Sequence, residues 1–256
     1  MNGQMYQACR IAAAAKSALA KQTALVFTLI PYENKIEFKL LPQQNSSSRK
    51  PSTAPNVADW FAFCVGKGLQ DVMLLTPTAV KDRGLLGFSN TTESMIMCFY
   101  KEQVTYFIAD WSFDSEKSVW NVLYTEYEWK DAPLGKPQFE DESAHFAAVL
   151  SKIKDLACRI DCYEFAKMFQ RAIDILEKGS GNIDEEYGLP LPSIPKRNLR
   201  IFEAASAADV FGAMGSWNDS PPAMAMEKGL YDEYNELSDE LLKQLRLAIL
   251  YAINEW

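Results

Sequence analysis

The spacing of apolar residues changes along the chain near residue 133. Before that point short runs alternate apolar with polar residues; after it apolar residues recur at three and four. In the first part, "ALVFTLIPYENKIEFKLLP" over 24–42 holds two β-rich runs about a Pro-Tyr-Glu-Asn turn. It predicts strands near 24–30 and 35–41, paired as a hairpin. Ile36, Phe38 and Leu40 alternate with Glu37 and Lys39, so this second strand has one buried and one wet face. Between 94 and 129, "SMIMCFY", "VTYFIADW" and "SVWNVLYTEYEW" are separated by the polar stretches Lys101-Glu102-Gln103 and "SFDSEK". Three consecutive antiparallel strands follow from that pattern. A short strand is expected near 71–75. Helices are expected over the Ala-rich 4–20, with Ile11 and Leu19 as bulk, and in "NVADWFAFCVGKGLQ", with Asn56 as cap.

The last of the three strands carries aromatic residues at both parities. Trp120 and Tyr124 share one face, Tyr127 and Trp129 the other. Either both faces are covered, or one is open to a ligand; covered faces, packed by the helical half, are the expectation. With Trp111 from the preceding strand, these rings form a candidate small-ligand surface.

From 140 onward the pattern is helical. Phe146, Val149, Leu150, Ile153, Leu156 and Ile160 keep helical spacing, as do Phe165, Met168, Phe169, Ala172 and Ile175. A single helix over 140–179 is long for a globular protein, and a break is expected near Asp161. "GSGNIDEEYGLPLPSIPKRN", 179–198, reads as an extended surface connection, because proline disfavours helix in itself and in its predecessor. "LRIFEAASAADVFGAMG" predicts another helix. Leu230, Tyr234, Leu237, Leu241, Leu245, Ala248 and Ala252 mark a last one, and from Leu245 onward apolar residues surround the axis. A helix apolar all round is buried, so the C-terminal turns belong to the core.

The expected architecture is therefore α+β. An antiparallel sheet of about five strands over 1–133 is packed by helices, and a mainly helical half over 139–256 packs with it as one cooperative body.

Composition is that of an ordinary globular protein: 256 residues, 48% hydrophobic and 23% charged. No apolar run reaches the roughly 18 residues of a membrane span. "CRIAAAAKSALAK" reads as a helix rather than a secretion signal, since Lys16 interrupts it and no cationic start precedes it. The five cysteines, at 9, 64, 98, 158 and 162, are odd in number and irregular in spacing, which fits reduced thiols and a cytoplasmic location. The sequons at Asn45 and Asn90 then carry no meaning. Net charge is −8, unevenly spread: residues 1–133 hold 13 basic and 13 acidic side chains, residues 134–256 hold 13 and 21. An acidic half argues against nucleic acid and is compatible with a basic protein partner.

Catalytic signatures are sparse. His145 is the one histidine, so no His-rich metal site can form, and a Ser-His-Asp or Cys-His site would have to use it. Cys158 and Cys162, in "CRIDC", are spaced to share a helix face but not as a redox dithiol or a zinc half-site. "GKGLQ" and "GSGN" lack the remaining parts of a phosphate loop, and "GFSN" is not a nucleophile elbow. The acids of "DEEYG", 184–188, read as a solvated charge run, with a divalent-ion site as the alternative. No cofactor is implied.

The most site-like stretch is "FGAMGSWNDSPP", 211–222. Mechanically, Gly215 suits a left-handed helix cap, Ser216, Asn218 and Asp219 form turns, Pro221 and Pro222 prevent immediate helix resumption, and Trp217 anchors the turn. Functionally, Trp217, Asn218 and Asp219 beside Asp232, Glu233 and Glu236 form a candidate surface for a basic partner. The leading expectation is a non-enzymatic, inhibitor- or immunity-like protein-binding module using the acidic half. In general character the chain resembles acidic intracellular bacterial proteins that mask toxins, a resemblance carried by no motif. A carboxylate-based enzyme, with or without a divalent ion, and a small-ligand binder using the strand aromatics are the alternatives.

Overall fold

The structure, a computed structural model, describes residues 1–42, 52–130, 132, 135–179 and 192–256. Most of the polar stretch 43–55 and the "DEEYG" acids lie outside the described residues. The chain divides into two compact units. One, the sheet unit, comprises 7–75 and 93–137; the other, the helical unit, comprises 1–6, 76–92 and 138–256. Their sequence ranges differ in charge. The sheet unit holds 12 basic and 12 acidic residues, the helical unit 14 and 22, so the whole −8 falls to the latter.

The sheet unit is built on six strands: β1 (Glu33–Leu40), β2 (Ser52–Ala54), β3 (Asp71–Leu75), β4 (Met95–Phe99), β5 (Val104–Asp114) and β6 (Val119–Glu128). Their order is β2-β1-β6-β5-β4-β3. Consecutive strands β3 to β6 are antiparallel, as the three-strand pattern over 94–129 anticipates, and β1 pairs with β2 antiparallel. β1 and β6, however, run parallel, so the sheet is mixed and larger than the five antiparallel strands expected. The hairpin 24–30/35–41 does not form. Residues 24–30 are irregular, β2 and β6 occupy the two edges of β1, and Leu25 and Ile30 are buried while Val26 and Leu29 face water. The Arg10 side chain donates to the Thr28 carbonyl, giving the backbone of this segment a partner outside any ladder.

One face of the sheet is closed. Ile36, Phe38, Ile96, Cys98, Phe107, Val122 and Tyr124 are all buried on it. Helix α2 (Val57–Gly66), capped by the Asn56 side chain on the Asp59 N–H, lays Trp60 flat on Phe38, with ring centroids 4.7 Å apart. Phe38 in turn stacks on Tyr124 at 5.0 Å. Helix α1 (Gly3–Lys21) supplies Gln7, which accepts from the Tyr124 hydroxyl at 3.0 Å and donates to Glu33 at 2.7 Å. Burial pushes the Tyr124 phenol up, with the Glu33 charge adding to it, so the ring remains a neutral donor.

The helical unit contains α3 (Ser143–Arg159), α4 (Tyr163–Lys178), α5 (Lys196–Ala208), α6 (Pro221–Glu227) and α7 (Tyr231–Asn254). Helix α3 packs on α4, α4 on α5, α5 on α7 and α7 on α3, a closed ring of four helices around Phe146, Leu150, Phe169, Phe202, Leu241 and Leu245. The break near Asp161 is present. Asp161 takes a left-handed φ of 59°, the Cys162 N–H reaches the Ala157 carbonyl at 2.8 Å, and the Asp161 N–H reaches that of Cys158 at 3.2 Å. That is a Schellman ending, and it puts Cys158 and Cys162 on opposite sides of the break rather than on one helix face. Residues 245–254 are buried apart from the half-buried Leu247 and Tyr251, so the last turns of α7 do lie in the core.

Two local expectations are corrected in this unit. Helix α5 ends at Ala208, so Gly215, with φ +79°, serves a turn and caps no helix; its N–H bonds the Asp219 carboxylate at 2.8 Å. Pro221 and Pro222 do not block a helix but begin α6, because the first N–H groups of a helix have no internal acceptor to lose.

Candidate functional site

Trp217 lies fully buried in the helical unit, with 0% exposure. Phe165, Phe169 and Tyr234 surround it with ring centroids 5.1–5.4 Å away. Its indole N–H donates to the Ser238 hydroxyl at 2.8 Å, and its carbonyl accepts from the Tyr234 hydroxyl at 2.6 Å. A side chain with no exposed surface offers nothing to a partner, so this ring is the anchor of its loop and not a contact residue. Asn218 is half-buried and donates to the Arg83 carbonyl at 2.9 Å. Asp219 is exposed and accepts from Gly215. Glu233 is held by both terminal nitrogens of Arg159, at 2.7 and 2.6 Å, and that guanidinium keeps its carboxyl below the ordinary range. Asp232 and Glu236 are exposed and have no cationic partner among the described residues.

The strand aromatics do not converge. Trp111 and Tyr124 are buried on the closed face of the sheet. Trp120 is half-buried near the β5–β6 turn, between Trp111 at 5.9 Å and Phe113 at 5.1 Å. Tyr127 points to the other face, is 44% exposed and stacks on Tyr106 at 5.5 Å; half-buried Trp129 meets Tyr106 edge-on. Ile108 and Leu123 are exposed on that same face. The expectation that both faces of β6 are covered is therefore corrected: over β5 and β6 one face is open.

Of the five thiols Cys158 alone is exposed. His145 is exposed, with Nε2 3.0 Å from the Glu240 carboxylate. Cys9, Cys64, Cys98 and Cys162 are buried. Burial, and next the hydrogen bond and charge of Cys64, push the Cys98 thiol up, away from the thiolate that reacts. Among the described residues, no group of three or more His, Cys, Asp or Glu converges as a metal site. No helix among them is long and apolar enough to cross a membrane.

What the helical unit does build is a surface at 80–92 and 212–239. A 3₁₀ turn, Arg83–Gly87, is fixed from several directions. The Asp82 carboxylate caps the Gly84 N–H at 2.8 Å, and Asn218 holds the Arg83 carbonyl. Asn2 donates to the Leu86 carbonyl at 3.1 Å, and the Gln4 side chain accepts from the Asn90 N–H at 3.0 Å. The Thr91 hydroxyl lies 2.8 Å from the Leu85 carbonyl and 2.7 Å from that of Phe88, donating its one proton between them. Gly87 packs so closely on the neighbouring loop that a Cβ there would sit 2.3 Å from the Ala213 nitrogen. This rigid turn leaves Leu85 50% and Phe88 59% exposed, and on the abutting loop Met214 is 94% exposed.

Beside it opens a cleft of about 580 Å³, walled by the 80–84 segment, Asn218, Pro222 and the first turns of α7. Arg83 organises its floor. The guanidinium pairs with Asp239, donates to Asn235 at 3.1 Å and lies 5.8 Å from the centre of the Tyr234 ring. A second cavity, by the buried Arg246, has room for about one water, too little for a ligand. Sequence reasoning found Asn218 in this region but missed the turn. Its signal was available in "DRGLLGFSNTT": Leu85, Leu86 and Phe88 stand among turn-forming residues with no helical or strand period, and of the three only Leu86 is buried.

These features define an α+β chain with a six-stranded mixed sheet, a four-helix ring and an open polar cleft beside an apolar turn. No family model, curated protein or solved structure matches the chain.

Proposed function

We propose that the chain is a non-enzymatic protein-binding module that acts through its acidic helical unit. One observation carries this reading: the turn at 83–88 is held by side-chain hydrogen bonds from four surrounding residues, yet it turns Leu85 and Phe88 to water beside Met214. A preorganised loop loses little entropy on binding, and large apolar side chains on it gain the free energy of burial when a partner covers them. Asp82, which precedes the turn, and Asp219, Asp232 and Glu236, next in sequence to residues of the neighbouring cleft, are all exposed and favour a partner with basic residues. Binding then combines an apolar contact with a salt-sensitive one, as expected of an inhibitor-like module.

The test is retention of proteins from a cell extract by the immobilised chain at low and high salt, compared with the Leu85→Ser/Phe88→Ser variant. A discrete partner held by the native chain, weakened by salt and lost in the variant, is the expected outcome. Retention that ignores both salt and the variant, or no retention at any ionic strength, removes the reading.

A further inference from the structure

The cleft beside the apolar turn has a more specific chemistry than its acidic surroundings, and from it we infer that it is the seat of an arginine side chain of the partner protein. The inference rests on the protein-binding reading above and names what one part of that surface accepts.

Three features of the wall point to a guanidinium. Tyr231 lines the cleft and is 40% exposed, and its ring stacks on Tyr234, with centroids 6.4 Å apart and planes 19° apart. An exposed tyrosine face attracts a planar cation, and guanidinium stacks on it where ammonium does not. Asp239 engages Arg83 through Oδ1, while its Oδ2 has no partner among the described residues, and its side chain is 65% exposed. The Asp82 carboxylate lines the same cleft, bonded through Oδ1 to the Gly84 N–H. The wall thus offers carboxylate oxygens to a donor fork, the geometry arginine meets with two N–H groups.

Charge decides the sign of the occupant. Arg83 also lines the cleft, but Asp239 neutralises it and Asn235 takes its second terminal nitrogen. That leaves Lys81 as the lining cation without an acidic partner among the described residues. Against it stand Asp82 on the wall and, each next in sequence to a lining residue, Asp219, Asp232 and Glu236, all exposed and without a cation among the described residues. Arg83 is a positioning residue here: it fixes the Asp239 and Asn235 side chains before the partner arrives, so the incoming group meets a wall already in place. About 580 Å³ is ample for one arginine side chain.

The experiment follows the backbone resonances of the isotope-labelled chain during titration with three capped tripeptides, Gly-Arg-Gly, Gly-Lys-Gly and Gly-citrulline-Gly. The arginine peptide is expected to move Gly84, Asn218 and Asn235 saturably, with lysine about threefold weaker and the uncharged citrulline about tenfold weaker. Tyr231→Ala should weaken arginine binding about threefold. Asp82→Asn, which keeps the cap on Gly84 and removes the charge, should weaken it about twofold and serves if Tyr231→Ala fails to fold. Absence of saturable shifts at the cleft overturns the inference, as does citrulline binding equal to arginine. So does a Gly-Glu-Gly peptide that shifts the same residues more strongly, which would assign the cleft to Lys81 and Arg83. If the arginine peptide fails while a partner is still retained through Phe88, this inference falls and the functional reading stands; if both fail, both fall.

Discussion

Trp217 and Tyr127 invite comparison because each sits where the other would be expected. Trp217 belongs to an irregular loop of the helical unit and is wholly buried; Tyr127 belongs to a ten-residue strand of the sheet unit and is 44% exposed. The difference lies in what each backbone requires of its side chains. A strand satisfies its N–H and C=O groups through the ladder, so an outward face can remain wet at no hydrogen-bonding cost. A loop has no ladder. The 209–220 segment is held by the Trp217 ring against Phe165, Phe169 and Tyr234, and by polar contacts from Asn218, Asp219 and Ser216. Regular structure and burial are thus separate properties, and in this chain the irregular segment is the one built around a core ring.

The comparison breaks most visibly at Trp217 itself. Trp217→Ala should cost about 3–5 kcal/mol, the usual range for deleting a fully buried aromatic. It also leaves the Ser238 hydroxyl, which accepts the indole N–H at 2.8 Å, without that donor. Denaturant unfolding followed by circular dichroism measures it. A loss below about 1 kcal/mol would mean that the loop does not depend on this ring.

Next in size is Gly87→Ala. The added Cβ would meet the Ala213 nitrogen at 2.3 Å and the Gly212 carbonyl carbon at 2.7 Å, both backbone atoms that cannot rotate aside. The two loops must separate, at about 1–3 kcal/mol by analogy with overpacked cores. Because the apolar turn depends on that contact, partner retention should fall with stability. Unchanged melting would show that the loops have slack.

A third prediction tests the closed face of the sheet against its open one. Tyr124→Phe keeps the ring that stacks on Phe38 and removes the hydroxyl that donates to the buried Gln7. A loss of roughly 1–2 kcal/mol is expected, since the Gln7 amide oxygen is left buried without that donor. An equally stable variant would show that the Gln7–Glu33 end of the network carries the interaction alone.

Much of the fold was legible because it rests on local pattern. The three strands over 94–129, the Asn56 cap, the break at Asp161 and the buried end of α7 all follow from spacing or capping within one element. What was missed depends on partners distant in sequence. Residues 24–30 have strand composition, but β2 and β6 hold the edges of β1, and nothing within the segment encodes that competition. The parallel pairing of β1 with β6 joins residues more than eighty apart, such as Phe38 and Tyr124. At the candidate site, Asn218 and the acids of α7 were readable as polar residues in sequence. The turn at 83–88 shows in sequence only as apolar residues without a period; which of them stay exposed is set by Asn2, Gln4, Thr91 and Asn218, which come together only in the folded unit.

The smallest expected effect is the most discriminating. Phe88→Ser and Tyr127→Thr each remove a large exposed apolar side chain, one from the pinned turn and one from the open strand face. Threonine keeps the strand preference at 127, and position 88 lies just past the 3₁₀ turn, so both changes should leave stability within about 1 kcal/mol. Their stability effects are therefore alike, and binding separates them. Burial on binding is worth most where the backbone is already fixed and the neighbouring charges suit the partner. Those conditions meet at Phe88, which has Met214 and the acids around the cleft beside it. Tyr127 has the Tyr106 ring on one side, and its strand face belongs to the unit whose charges balance at 12 and 12. Partner retention should fall at least about tenfold for Phe88→Ser, which corresponds to about 1.4 kcal/mol, and stay unchanged for Tyr127→Thr. The reverse result would move the binding surface to the open face of the sheet and leave the apolar turn as a structural feature of the helical unit.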